Sequence, residues 1–513
     1  MPKKDCSRAR ARTTRALSRY LSAAVALAAL SAEGVGLAQK PAVPAADVVT
    51  PIEVKLQLTR LTLDNGLRVV LNVDRTSPTV AVAVAYDVGA RNEEKGRSGF
   101  AHLFEHMMFQ GSKNVGKGEH LSLVAGHGGT ANGTTSPDRT GYYEVLPSSE
   151  LALGLWLEAD RMASLSVTKE HFENQRDVVK EEYRMRVSNA AYAPAALRLE
   201  ELVYQGYAPY EHPAVGSLAE LDVADFAWVK EFHAKYYGPN NAVLSIAGDF
   251  DEEEAKALIH KYFDKIAKVT TPAFADSVFP EQASPRTGVL RDAHAGSPAM
   301  LFGWRAPKMG ERAAYALELL AIVLGEGESS RLYQLLVRDR AAALDVSARM
   351  PLRRGPGMFE IDAKLAPKAK VLDVQKLVED AVKALGDKGP TAAELAKAQR
   401  RAQSRFVFGL QTNGARARRL ADEELFFGDA GRLPGEPSRY LAIGIEDVQK
   451  AVKQYLLPTK RTVVEVYPLE DEKPAAAGST KGAADSKKAG STKGATGTTK
   501  AGSTKPGAKK GGK

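Results

Sequence analysis

The residues of this chain best equipped for chemistry are His102, Glu105 and His106, in a His-x-x-Glu-His cluster. The stretch from Ser98 to Phe109 has helical spacing, and on a helix two residues four apart stand one above the other on one face. Two imidazoles so placed can share one tetrahedral zinc ion. Glu105, three positions from one histidine and one from the other, can touch a water on that ion without being a ligand, as a general base must. The residues alone leave a second reading open, two surface histidines beside an acid.

A zinc site that acts on water needs a third protein ligand and an open fourth position. His120 falls in a polar helix start, His127 is flanked by glycines and His171 begins a helix, so these are poor candidates. Over Phe172 to Arg186, three- and four-residue spacing places Phe172, Gln175, Val179 and Glu182 on one stripe. Glu181 falls with Asn174, Asp177 and Arg184 on a polar side. An inward carboxylate on a mostly apolar stripe is costly unless it meets a cation. Glu182 is therefore expected as the third ligand, the alternative being a buried salt bridge to an arginine. The second half has one histidine, His294, and no cysteine, so a single zinc per chain is expected.

The elements around these residues alternate between strand and helix patterns. Leu61 to Leu71 reads as two strands about an Asn65-Gly66 turn, and Thr79 to Val88 as a valine-rich strand. Gly129 to Ser136, Thr140 to Leu146 and Asn241 to Gly248 follow as strands. Glu150 to Glu201 is mostly helical, and Asp251 to Asp264 is a helix with an acidic first turn. The proline-bearing stretch 269–285 reads as a linker. Beyond it, Ala299 to Arg305 and Gly357 to Leu365 read as strands, and Ala313 to Leu324, Val371 to Leu385 and Thr391 to Leu410 as helices. The second half thus repeats the first, with Leu317, Leu320 and Ala321 opposite His102, Glu105 and His106, and Arg405 opposite Glu182. One half carries the chemistry and the other lacks it.

The net charge of +9 belongs to the ends. Residues 1–40 hold eight Lys or Arg against Asp5 and Glu33, and residues 474–513 hold nine Lys against Asp485, which leaves the body net negative. The basic balance is therefore no nucleic-acid footprint. A basic run to Arg19, uncharged residues from Tyr20 to Ala32 and Gly36-Leu37-Ala38 read as a signal peptide over 1–38, followed by an extension over 39–54. Periplasmic or secreted location is expected, and Cys6, the one cysteine, would leave with the leader. Residues 471–513 repeat Ala-Gly-Ser-Thr-Lys without large apolar residues. They are expected to be disordered, as a spacer or as a basic tether to anionic envelope components.

His102-x-x-Glu105-His106 with Glu182 76 positions further on resembles the inverted zinc motif of the insulinase and mitochondrial-processing-peptidase family. The similarity extends through Thr62 to Gly66, Gly89 to Glu93, Asn132 to Tyr142, Asn174 to Glu182, Tyr236 to Asp249 and Gly325 to Arg338. It implies an α+β fold with a zinc-bearing half over 55–268 and a metal-free half over 286–470. Each half would be a mostly antiparallel sheet with helices packed on it, the two forming a clamshell around a peptide chamber. It implies His102, His106 and Glu182 as zinc ligands, Glu105 as base, and a homodimer or a heterodimer with a related metal-free subunit. Asn132, Gly133 and Thr134 lie on the stretch resembling the family's substrate-pairing strand, although an ordinary strand and turn fits the residues equally. Gln175 stands where the family often has a second glutamate supporting the metal. Arg338 matches an arginine that reaches the substrate carbonyl, but its usual tyrosine companion is Asp345. Zinc-dependent endopeptidase activity on peptides or unfolded segments is the expectation, and a non-catalytic peptide-binding or partner subunit is the alternative.

Overall fold

The computed structural model describes residues 49–274 and 277–469. The expected leader and tail lie outside these residues. The first sheet has six strands, β1 (Thr59–Thr62), β2 (Arg68–Val73), β3 (Thr79–Tyr86), β4 (Thr130–Thr135), β5 (Thr140–Pro147) and β6 (Ala242–Gly248). Their order is β1-β2-β6-β3-β5-β4, with β2 and β6 parallel and all other neighbours antiparallel. The expected Asn-Gly turn joins β1 to β2. Gly66 takes φ 87° there, and Asn65 donates to the carbonyl oxygens of Phe263 (2.8 Å) and Ile266 (3.2 Å).

The helices of this half are α1 (Phe100–Met107), α2 (Glu119–Gly126), α3 (Leu151–Ser164), α4 (Lys169–Tyr183), α5 (Ala193–Tyr204), α6 (Leu218–Asp222), α7 (Phe226–Tyr236) and α8 (Glu252–Phe263). The second half contributes β7 (Arg286–Asp292), β8 (Ala299–Ala306), β9 (Ala343–Arg349), β10 (Gly357–Leu365) and β11 (Thr462–Pro468). With them come α9 (Arg312–Gly325), α10 (Val371–Lys388), α11 (Ala392–Phe408) and α12 (Asn413–Phe427). The second sheet runs β7-β11-β8-β10-β9, with β7 and β11 parallel. Without β1, the first sheet has this same order and this same single parallel pair. The fold is the expected α+β type, two related sheets each packed with helices.

β3 explains how the first sheet is covered. Its sequence alternates valine and alanine, and side chains alternate across a strand. Val80, Val82 and Val84 face the large core that includes α1, α3 and α8. Ala81, Ala83 and Ala85 face the other way, where small side chains let a helix approach closely. That helix is α12, contributed by the second half, with Ala417, Leu420 and Ala421 against the sheet. The exchange is mutual: α5 of the first half lays Leu199, Leu202 and Val203 on Leu301, Val464 and Val466 of the second sheet.

Most expected elements are present to within two residues or so, whereas β7, β9, β11 and α12 were not anticipated. β7 and β9 are edge strands, and apolar Val289 and Leu344 stand exposed on them beside Arg291 and Asp345, so their alternation is weak. The buried face of α12 mixes Ala417, Leu420, Ala421 and Leu425 with Asn413, Arg416 and Glu424, so its apolar stripe is interrupted. Residues 267–274 and 277–285, over the expected linker, hold no helix or strand. No helix among the described residues is long and apolar enough to cross a membrane.

Candidate metal centre

α1 presents the His-x-x-Glu-His cluster. The helix starts at Gly99, whose φ of 88° turns the chain into it. The fully buried carboxylate of Glu93 accepts from the backbone N–H groups of Gly99 (2.9 Å) and Ala101 (2.8 Å), satisfying donors that a helix start leaves open. Burial pushes this carboxyl up to about 8, against the pull of those two bonds. Glu93 lies in the Gly89 to Glu93 segment noted above, but its capping role was not foreseen. An acid six residues ahead of a helix start carries no recognisable capping spacing.

α4 supplies Glu182 near its last turn. Phe172, Gln175 and Val179 are buried as the stripe requires, while Glu181 is exposed and pairs with Arg184 at 3.0 Å. Glu182 Oε2 lies 3.1 Å from His106 Nε2 and 3.7 Å from His102 Nε2. One donor atom from each of the three residues falls within 4.8 Å of the others. A tetrahedral zinc with bonds of about 2.0 to 2.1 Å holds its ligand atoms about 3.3 Å apart, so donor types and spacing both fit that ion. The other oxygen, Glu182 Oε1, pairs with the largely exposed Arg186 at 2.7 Å. The arginine pair is thus an exposed one on one oxygen, not the buried salt bridge of the alternative reading, and the other oxygen faces the histidines.

Burial, and then the neighbouring charge of His106, lowers His102 to about 4. Its imidazole is therefore neutral near pH 7, the form that can donate a lone pair to a metal. His102 Nδ1 is buried without a partner. Gln175, expected to support the metal from behind, gives its Nε2 to Asn174 Oδ1 (2.9 Å), and no hydrogen bond joins it to either histidine.

Glu105 faces β4. A Cβ on Gly133 would stand 2.8 Å from Glu105 Cγ, so only glycine lets the strand pass this close. Burial raises the Glu105 carboxyl, opposed by a hydrogen bond from Thr135 and by the charges of His106 and Arg139. β4 is the sheet edge, bonded to β5 alone, and an edge strand offers unpaired N–H and C=O groups along one side. Asn132, Gly133 and Thr134 all lie on it. Arg338 is exposed in the π-helical stretch Tyr333–Asp339 and makes no hydrogen bond or ion pair among the described residues. Asp345 is exposed on β9, opposite Lys364. The structure thus brings His102, Glu105, His106, Glu182 and β4 together, and among the described residues no hydrogen bond or ion pair joins Arg338 or Gln175 to the two histidines.

A second cluster was missed. His120 is buried, with Nε2 2.8 Å from Glu144 Oε1, and Glu158 completes a group of possible metal ligands. Here Arg161 already supplies the cation, with Nε 2.9 Å from Glu158 and Nη2 3.5 Å from Glu144. Local sequence does not reveal the pattern, because this buried charge network depends on residues brought from three elements.

Comparison with known proteins gives a consistent picture. Residues 68–209 match the family model for insulinase, peptidase family M16, and residues 226–402 match that for the M16 inactive domain. The chain is 30% identical to the zinc protease PqqE of Helicobacter pylori over 412 residues, covering 80% of this chain and 92% of that one. It is 30% identical over 401 residues to an uncharacterised zinc protease of Mycobacterium tuberculosis, covering 78% and 90%. A crystal structure of a protease from Helicobacter pylori superposes with a TM-score of 0.76 at 28% identity, covering 81% of this chain and all of that one.

Proposed function

The chain belongs to the insulinase family of peptidases, M16, and on that premise we propose that it is a zinc-dependent endopeptidase acting on peptides or unfolded protein segments. The observation that carries this reading is the convergence of His102, His106 and Glu182 donor atoms beside Glu105 and the open edge of β4. His102, His106 and Glu182 would hold the metal. A bound zinc supplies a Lewis acid that polarises a carbonyl oxygen and acidifies water. The chain's own part is then to bind and to move a proton. The edge of β4 pairs with an extended peptide through main-chain hydrogen bonds, which gives affinity with little demand on sequence. Glu105 accepts a proton from the attacking water and delivers it to the leaving amine. Burial raises its carboxyl above the ordinary carboxylate value, which makes it a better proton acceptor than an exposed glutamate and brings it nearer the operating pH, where one group can both take and return a proton.

The reading includes export by the N-terminal leader, and pairing with a second copy or a related metal-free subunit. It leaves the chamber around the substrate as the expectation carried by the family resemblance. A second reading, a peptide-binding subunit without turnover, is favoured by Asp345 standing at the family's tyrosine position.

The test is metal content together with hydrolysis of a mixed peptide library, with and without a chelator. One zinc per chain, cleavage abolished by chelation and cleavage restored by zinc are expected. Peptide binding without cleavage would establish the second reading, and a protein that neither cleaves nor binds peptide would remove both.

A further inference from the structure

We infer that Arg139 is a positioning residue that holds β4 in place for the peptide, and that it does so because Asp422 of the second half anchors it. The inference rests on the reading of β4 as the peptide-receiving strand.

β4 is poorly equipped to hold itself. Its sequence, Thr-Ala-Asn-Gly-Thr-Thr, contains Asn132 and Gly133, both disfavoured in strands, and it has a neighbour on one side only. Glu105 nevertheless has to meet it with the clearance of a single glycine. The face of β4 turned to Glu105 carries Gly133 and Thr135, so Thr134 points to the opposite face. On that side Arg139 Nη1 donates to Thr134 Oγ1 at 2.6 Å and to Thr134 O at 3.3 Å.

The guanidinium is fixed at its other edge as well. Arg139 Nε lies 2.7 Å from Asp422 Oδ1, and Nη2 lies 3.4 Å from Asp422 Oδ2, a two-pronged pair with both side chains largely buried. Asp422 sits on α12, the helix the second half lays on the first sheet. Gly141, opposite Thr134 on β5, leaves the room: a Cβ there would come within 2.8 Å of Arg139 Nη1. The preceding residue grips the second half too. Asp138 accepts from the Tyr210 hydroxyl (2.6 Å) and from the backbone N–H of Arg354 (2.9 Å). The turn between β4 and β5 is therefore held at two successive residues by the half that has no metal ligands.

The experiment compares Arg139→Gln, Asp422→Asn and the conservative Arg139→Lys, using zinc content, steady-state peptide hydrolysis and hydrogen exchange. Loss of a charge-assisted, two-pronged contact is expected to raise KM about tenfold. Zinc should remain bound and kcat should change much less. Arg139→Lys should fall between parent and Arg139→Gln, since an ammonium can meet Asp422 but lacks the fork that reaches Thr134. Exchange of the β4 amides should quicken about tenfold in both neutral variants while β2 and β3 keep their protection. A purely structural role would loosen the whole sheet or release zinc, and either result overturns the inference, as would unchanged KM and unchanged β4 exchange. If the parent cleaves no peptide, the endopeptidase reading fails, and the exchange measurement still decides whether Arg139 and Asp422 hold β4. If Arg139→Gln does not fold, Asp422→Asn and Arg139→Lys carry the same comparison.

Discussion

The two halves share a strand order and a single parallel pair, yet corresponding helices have opposite surroundings. On α1, His102, Glu105 and His106 are partly accessible, and Glu182 comes to meet them from α4. On α9 the matching Leu317, Leu320 and Ala321 are buried in a continuous apolar core. Arg405, opposite Glu182, lies on α11, and with Arg401 it pairs directly with Glu326 at the end of α9. Where the first half brings three possible metal-ligating atoms together, the second sets a matched ion pair beside an apolar core. Each fully buried leucine is worth about 1.5 to 3 kcal/mol, so the second half gains stability at the positions that, on the proposed reading, the first half gives to chemistry. The second half is also more than a relic, since its α12 covers the first sheet and carries Asp422 to Arg139.

The largest effect that can break this comparison is loss of the metal. His102→Ala or Glu182→Gln should release zinc and lower hydrolysis on the order of 10³-fold or more, as several kcal/mol of transition-state stabilisation disappear. Arg405→Gln, at the matching position, should leave zinc content and turnover unchanged. Metal analysis of the three purified proteins decides it, and zinc lost from Arg405→Gln would end the assignment of chemistry to one half.

The next effect concerns the helix exchange. Leu420→Ala on α12 and Leu199→Ala on α5 each remove a fully buried side chain from a helix covering the other half's sheet. Each should cost about 2 to 5 kcal/mol. Because the damage falls on both halves, calorimetry should show one transition shifted as a whole. A first-half transition that moves alone would mean that the halves are stabilised independently.

How far the sequence foresaw this arrangement differs by region for physical reasons. Helical spacing separated Glu182 from Glu181, because a stripe with Phe172 and Val179 on it can only face inward. The valine and alanine alternation of β3 announced a strand, but not that its alanine face awaits a helix from more than 300 residues away. Arg139, Asp422 and the His120 cluster were invisible for a related reason. Each depends on contacts between elements far apart in the chain, and local periodicity carries no record of which elements meet. β7 and β9 escaped notice because an edge strand leaves residues such as Val289 and Leu344 exposed, so polar and apolar positions no longer alternate with burial.

A smaller effect sharpens the contrast between acids on the two matching helices. Glu318 on α9 accepts from the Tyr440 hydroxyl at 2.9 Å, and burial pushes its carboxyl up to about 8. The folded state therefore binds this proton more tightly than the unfolded chain does, with its ordinary value near 4.5. The resulting stability is fully present below about pH 4.5 and is lost as pH rises through about 8. Glu318→Gln should match the parent at pH 4 and exceed it by about 1 kcal/mol at pH 9, with discount for the partial exposure of the group. Thermal melts across pH 4 to 9 check this, and parallel curves for the two proteins would show that folding does not raise the Glu318 carboxyl.

The central claim, that Glu105 is the base beside a metal held by three other residues, is tested most directly by Glu105→Gln. The variant should bind one zinc per chain as the parent does, since Glu105 is not among the converging donors. Its peptide hydrolysis should fall about 10²- to 10⁴-fold, the usual contribution of a placed proton acceptor. Zinc-loaded Glu105→Gln that cleaves peptide at the parent rate would contradict the account.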